Sequence, residues 1–583
     1  MGHPASRGGA GRHDLVRRAF WHFAPGPYSV RAAKQEGDGL IVWQAAEQRP
    51  FFMLGLLALL LFLPGLFTLP PIDRDEARFA QASKQMLESG NLVDIRFQDV
   101  PRYKKPVGIY WLQAASARLL GAPPYDEIWA YRIPSLLGAL ASVLLTFWAG
   151  RPLFGPRAAL IGAALLAATI MLGAEARLAK TDAVLLACVM LAQGVLARAY
   201  LGQRLSWPLA MLFWVAQGLG VLIKGPIAPL ISGLTILGLG LWDRRGAWLK
   251  RLRPLLGLPL FAAIVLPWLV AIGLATHGQF FSEAVGGDMA SKLAGGQESH
   301  GAPPGTYLVL AILTFWPGTL VLLPAIGHAL RERAAAPYRF ALAWAVPAWL
   351  FFELVPTKLP HYVLPLYPAL ALLCGAVIVQ APGRLQTRLG MLALAGFAGA
   401  GLAFVLLLGG LQRLSDGVYH PLDLACAGLA LVFCVLAALA FRRKTAQRAA
   451  AFALAASFTV TGSALGLIGP HLDAPFIAPR LVAALPHTGG GPLPPLIVSG
   501  YSEPSLVFLA GTGTRFEPPE RAAEALALSS HGNTVAAIST AAQAAFLAEM
   551  RALDRSVLPI GAVSGFNYSV GKPVTLILYK ARP

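Results

Sequence analysis

Apolar runs of about 18 residues or more recur along most of the chain up to residue 470. Such runs restrict it to a bundle of membrane-crossing helices, because only a helix satisfies its own backbone in lipid. We read about thirteen spans, near residues 51–70, 131–150, 156–174, 182–200, 207–223, 226–242, 255–275, 306–327, 339–355, 361–380, 389–409, 421–441 and 450–469. With 583 residues, 56% of them hydrophobic and 13% charged, the composition excludes an ordinary soluble protein. The formal charge of +19 would suit nucleic acid, yet the basic residues fall in short loops between spans. Membrane topology accounts for them, so no nucleic-acid partner is expected.

Placing the N-terminus in the cytoplasm makes six alternate loops basic and nearly free of acid. They hold Arg151 and Arg157; Arg198 and Arg204; Arg244 to Arg253; Arg331, Arg333 and Arg339; Arg384 and Arg388; Arg442 to Arg448. Positive charge on the inner side fixes the orientation. Residues 1–50 are then expected to be a cytoplasmic tail, and residues 51–470 a membrane domain. Its outer loops include 71–130 and a Gly-rich loop at 276–305. The first of these should carry two interfacial helices, about 75–89 and 106–120.

From about 471 the long apolar runs stop. Short β-like runs (495–499, 534–539, 574–579) alternate with helical stretches (503–510, 541–553), which predicts a small α/β domain at 471–583 on the outer face. The four cysteines, Cys188, Cys374, Cys426 and Cys434, lie in apolar spans without CxxC or Cys/His pairing, so neither a disulfide framework nor a zinc site is expected.

The chemistry should lie in the outer loops. Three lysines there stand just ahead of prolines that open helices: Lys105-Pro106, Lys224-Gly225-Pro226 and Lys358-Leu359-Pro360. A cation beside a helix N-terminus adds to its free N–H groups and positive dipole end, making an anion site. Three repeats of that arrangement predict a shared phosphate site, with Tyr362 one helical turn beyond Lys358 as a phenolic donor. A single such lysine would be only a snorkelling residue.

Asp75 and Glu76 follow the first span, with Arg78 one turn later. One carboxylate could simply cap the helix. The alternative is that Asp75 orients or deprotonates a nucleophile while Glu76 and Arg78 contact substrate. Asp182 stands at the outer mouth of the fourth span, where an acid is costly and points to function, a helix cap being the plainer alternative. In the Gly-rich loop, Lys292 and His300 are further candidate substrate contacts.

These residues carry a resemblance. The runs Asp75-Glu76-Ala77-Arg78-Phe79, Lys105-Pro106 with Tyr110-Trp111-Leu112, Thr181-Asp182, Lys224-Gly225-Pro226 and Lys358-Leu359-Pro360-His361-Tyr362 resemble GT-C-type glycosyltransferases. The branch is that of the protein mannosyltransferase and lipid A aminoarabinose transferase superfamily. The match covers residues 50–370 in order. It implies an inner-membrane enzyme that takes a sugar from a polyprenyl-phosphate donor on the periplasmic face, with inversion. It also implies that Asp75 is the catalytic aspartate and Asp182 a second acid near it. Lys105, Lys358 and Tyr362 would then contact donor phosphate.

Some members carry an acid, implicated in metal binding, immediately before the Lys-Pro pair. Here Lys104 takes its place. This weakens the case for a metal; no cofactor is expected to be required, a divalent metal being the minor alternative. The acceptor is lipid A or lipopolysaccharide, another glycolipid, or protein Ser/Thr, the first being favoured by the branch. A lipid-linked-sugar transporter or flippase is the rival class. It would more often place ionisable residues or broken helices near the midplane, whereas these charges sit at span ends.

Overall fold

The computed structural model describes residues 46–291, 301–486, 493–529 and 533–582. Lys292 and His300 lie outside the described residues.

The protein is a mostly helical, polytopic membrane fold with a small C-terminal sheet domain. Among the described residues, eight helices are long and apolar enough to cross a bilayer: Ile128–Phe154, Asp182–Tyr200, Trp207–Lys224, Pro254–Ala275, Pro360–Gln380, Arg388–Gly409, Pro421–Arg442 and Ala446–His471. Pro50–Phe62, Pro156–Ala168, Ile227–Asp243 and Thr319–Arg331 are apolar but shorter. Two of the expected spans are each broken in two. The first divides at Thr169, between Pro156–Ala168 and Ile170–Glu175. The second divides between Thr306–Thr314 and Thr319–Arg331.

The two breaks meet. Ile170 N donates to Trp316 O at 3.0 Å. Thr169 Oγ1 donates to Leu166 O at 2.8 Å, and Ser457 Oγ donates to Ala168 O at 2.5 Å. Backbone groups freed by a break must be re-satisfied in lipid, and hydroxyls do so here. The helices pack through small residues: Gly162 and Gly375 touch backbone across the pair Pro156–Ala168 and Tyr367–Gln380, where a side chain would collide.

The first loop carries the two expected helices, Asp75–Ser89 and Gly108–Leu120, joined by a short hairpin of β1 (Arg96–Phe97) and β2 (Val100–Pro101). Phe79 and Met86 bury themselves from the first helix, as its apolar spacing requires. The C-terminal sheet has the order β4-β3-β5-β7-β6, with β3 (Leu496–Ser499), β4 (Arg515–Phe516), β5 (Val535–Ser539), β6 (Val557–Asn567) and β7 (Lys572–Ala581). β3 pairs in parallel with β4 and β5, and β7 runs antiparallel to β5 and β6.

This domain sits on the Asp75–Ser89 helix. Lys84 Nζ donates to Phe508 O at 3.0 Å, Gln81 to Thr512 at 2.8 Å, and Gln98 to Thr514 O at 2.6 Å. Phe508 packs edge-on to Tyr131, with ring centroids 5.3 Å apart.

Candidate active site

The Asp75–Ser89 helix begins under constraint. Arg74, which precedes it, has φ 68° and ψ −109°, a region that non-glycine residues rarely occupy. No side chain caps the helix, so the capping alternative for Asp75 does not hold. The C-terminal domain holds the strained entry in place. Ser505 N donates to Asp73 Oδ1 at 3.0 Å, Asp73 N donates to the Tyr568 hydroxyl at 2.6 Å, and the Arg74 guanidinium donates to Ser569 O. Burial pushes the Asp73 carboxyl up to about 6, against the hydrogen bond from Ser505 and with the help of Glu503.

Consecutive helical residues point about 100° apart, so Asp75 and Glu76 part company. Asp75 is exposed, whereas Glu76 is 1% exposed. Glu76 accepts from Arg132 Nε at 2.8 Å and Nη2 at 2.9 Å, and from Ala179 N and Ile72 N, both at 2.9 Å. Arg132, wholly buried, spends its other donors on Leu66, Leu69 and Pro70 carbonyls. Glu76 is thus corrected from a substrate contact to half of a buried ion pair that ties the loop to the bundle. The signal for its partner was Arg132 itself, a charge inside an apolar span. Arg78 is half-buried and acts electrostatically on Asp73.

Asp182 opens its helix at 4% exposure, below the surface rather than at an open mouth. Lys224 Nζ lies 2.5 Å from its Oδ1, and Thr181 Oγ1 donates to its Oδ2 at 3.2 Å. Beside it, Lys180 Nζ donates to Glu175 Oε1 at 3.0 Å. His361 bridges the two pairs, with Nδ1 3.7 Å from Glu175 and Nε2 3.9 Å from Asp182. Tyr362 lies under Lys224, 5.5 Å from the ammonium to the ring centroid. Lys105 is half-exposed and near enough to act electrostatically on His361, as Asp75 does on Lys180. The structure therefore gathers Asp75, Lys105, Asp182, Lys224 and Tyr362 at one end of the bundle, and adds Glu175, Lys180 and His361.

Burial alone would lower the Lys180 pKa. Glu175 and Asp182, with Asp75 behind them, more than offset this and hold it above the ordinary lysine range. The two carboxylates thus keep the Lys180 ammonium charged in a desolvated place. The sequence motifs include His361 without giving it a role, and Lys180, just ahead of Thr181-Asp182, is not singled out by them. Arg177, two residues from Glu175, does not pair with it but donates to Pro64 and Gly173 carbonyls at 2.6 and 2.5 Å.

Lys358 needs correction as a phosphate ligand. The residue is 6% exposed, and its ammonium donates to the carbonyls of Phe352, Glu353 and Val355 at 3.4, 2.8 and 2.7 Å. A lysine has three donors, and here all three close the C-terminal end of the Ala336–Leu354 helix. The Glu353 carboxylate caps Thr306–Thr314 through Tyr307 N and Leu308 N at 3.1 and 3.3 Å.

Ligand atoms of Glu175, Asp182 and His361 all lie within 4.8 Å of one another, a spacing a cation could use. The residues do not fit a resident divalent metal. Lys180 and Lys224 already contact the same carboxylates, and a metal beside two ammonium groups would be opposed by like charge.

Residues 104–270 match the family model described as dolichyl-phosphate-mannose-protein mannosyltransferase. The chain is 32% identical over 369 residues to an undecaprenyl phosphate-alpha-4-amino-4-deoxy-L-arabinose arabinosyl transferase of Pseudomonas aeruginosa, covering 58% of this chain and 65% of that one. A Pseudomonas fluorescens protein of the same description is 32% identical over 358 residues, covering 57% and 61%. The matched region thus spans just under two thirds of these relatives. The fold is similar to crystal structures of ArnT from Cupriavidus metallidurans. One, bound to undecaprenyl phosphate, has a TM-score of 0.70 at 20% identity over 91% of this chain and 97% of that one. The other, in the apo state, has a TM-score of 0.69 at 21% identity over 92% and 98%. The resemblance carried by the motifs is borne out: over part of its length the chain is similar to lipid-phosphate-sugar glycosyltransferases of this kind, and its fold is that of the ArnT structures.

Proposed function

We propose that the protein is an inner-membrane glycosyltransferase that moves a sugar, of the 4-amino-4-deoxy-arabinose type, from undecaprenyl phosphate to lipid A. The observation that carries this reading is the buried lysine–carboxylate cluster beside an exposed aspartate, in a fold shared with ArnT. The relatives' printed activity supports the donor.

In the reaction the bond between the anomeric carbon and the phosphate oxygen breaks, and the phosphate gains negative charge. Lys105, backed by Lys180 and Lys224, stabilises that charge at a site where water is scarce. Asp182 and Glu175 position those ammonium groups, which makes Asp182 a positioning residue. Asp75 meets the acceptor. If the nucleophile is a hydroxyl, Asp75 takes its proton as the new bond forms. If it is a lipid A phosphate, already anionic, Asp75 positions it or supports the developing oxocarbenium ion. Displacement in one step inverts the anomeric centre. Tyr362 and Arg78 line the same end and contact substrate. The active site and the C-terminal domain face the periplasm, and the N-terminus the cytoplasm, in keeping with the six basic loops.

The test is mass spectrometry of lipids from a deletion strain beside its parent. Loss of an aminopentose mass from lipid A is expected. Unchanged lipid A, with a sugar missing from another lipid or from protein, would replace the acceptor.

A further inference from the structure

A cavity of about 240 Å³, with basic side chains on a largely apolar lining, lies at the far end of the bundle from the site above. The Ala336–Leu354 helix shows the separation: Arg331 precedes it, and Lys358 and His361 follow it. Its 19 residues span roughly 28 Å at 1.5 Å per residue. The cavity is lined by His328, Arg331, Arg384, Thr387, Arg388 and Leu389, with Pro324 and Gly327 at its back.

Two features there attract an anion, and a third suits the polar part of a headgroup. Arg331, Arg384 and Arg388 make no ion pair among the described residues, and Glu332 is the acid nearest in sequence. The Arg388–Gly409 helix starts at the cavity with no side-chain cap, and Thr387 turns its hydroxyl to Arg384 O at 2.8 Å instead. That leaves first-turn N–H groups and the positive dipole end facing the space. Finally, His328 is 9% exposed and its Nδ1 has no partner among the described residues. The Tyr338 hydroxyl donates to Gln380 Oε1 at 2.8 Å and so accepts from His328 Nε2 at 3.1 Å. Nδ1 is the open position. It accepts a hydroxyl proton when the ring is neutral and donates to an oxyanion when the ring is protonated.

We infer that this cavity is a phosphate-binding site for the headgroup of an anionic phospholipid in the leaflet at that end. Planar guanidinium groups suit phosphate oxygens, and a basic pocket between membrane helices suits an anionic headgroup. The apolar part of the lining favours a lipid over a free anion: Leu389 lines the cavity and is 38% exposed, where an acyl chain would lie. The site is independent of the transfer reaction.

The test uses the full-length protein in detergent, with lipid binding followed by native mass spectrometry. The probes are dioleoyl-phosphatidylglycerol, dioleoyl-phosphatidylcholine and inorganic phosphate. Phosphatidylglycerol should bind the wild type, and R384Q/R388Q should weaken it about tenfold or more. R443Q, in another basic loop, should bind as the wild type does. Inorganic phosphate should compete only weakly. Equal retention of both lipids, or equal losses in R384Q/R388Q and R443Q, would overturn the site. Full displacement by millimolar phosphate would overturn the lipid headgroup as its ligand. Both arginines of the double variant are exposed, so it should fold.

Discussion

Ser505 N donates to the carboxylate of Asp73 at 3.0 Å, so the C-terminal domain grips the chain two residues ahead of Asp75. The geometry of the proposed catalytic loop thus depends on a domain more than 400 residues away in sequence, as the separation of 432 records.

That contact should respond to pH. The Asp73 carboxyl is raised from 3.8 to about 6, so between those values the folded protein binds more protons than the unfolded chain. Its contribution to stability is complete below about pH 4 and is lost as pH rises through about 6. Hydrogen exchange of the Asp75–Ser89 helix should therefore speed up from pH 5 to pH 7, beyond the intrinsic rate change. The Asp73→Asn variant should lose that excess. An identical excess in the variant would assign it to another group.

Breaking the buried pair should be costly. Lys224→Met strands the Asp182 carboxylate, with an expected loss of about 3–5 kcal/mol in thermal or denaturant unfolding. Lys224→Met/Asp182→Leu should recover much of that stability but none of the activity, because the charge at the phosphate site is gone. Recovery of both would make the pair purely structural.

Lys358→Ala should behave as a helix-end variant. Removing the donor from three carbonyls should cost about 1–3 kcal/mol. The KM for donor should change no more than the KM for acceptor. A selective rise in donor KM at unchanged stability would restore Lys358 to the phosphate.

Glu76→Gln keeps the shape but leaves Arg132 without a counter-charge. Stability should fall by about 3–5 kcal/mol. An unaltered melting profile with reduced acceptor affinity would return Glu76 to substrate binding.

Much of this architecture was legible because lipid leaves so few solutions. Apolar length marks a helix, and Pro106 and Asp75 mark where two loop helices start, within two residues of Gly108 and at Asp75 itself. What the pattern did not carry was orientation and partner. The Lys-Pro arrangement says where a helix begins, but it does not say whether the ammonium meets a carboxylate, as Lys224 does, or the carbonyls of the preceding helix, as Lys358 does. Adjacent acids look equivalent in sequence, yet the helical turn sends Asp75 to solvent and Glu76 to Arg132. His361 joins Glu175 and Lys180 only when two segments distant in sequence converge, and no local spacing announces that. The break at Thr169 was hidden within an apolar run, whereas Pro317-Gly318 beside Trp316 was a breaker signal that the span reading passed over.

The most direct measurement is transfer by the purified, reconstituted protein, with undecaprenyl-phosphate-linked aminoarabinose as donor and lipid A as acceptor, comparing wild type with Asp75→Asn. The wild type should add the sugar mass to lipid A. The variant, folded and membrane-inserted, should be slower by about 10²–10⁴-fold. Equal rates for the two proteins would contradict the role given to Asp75 and with it the account of the site.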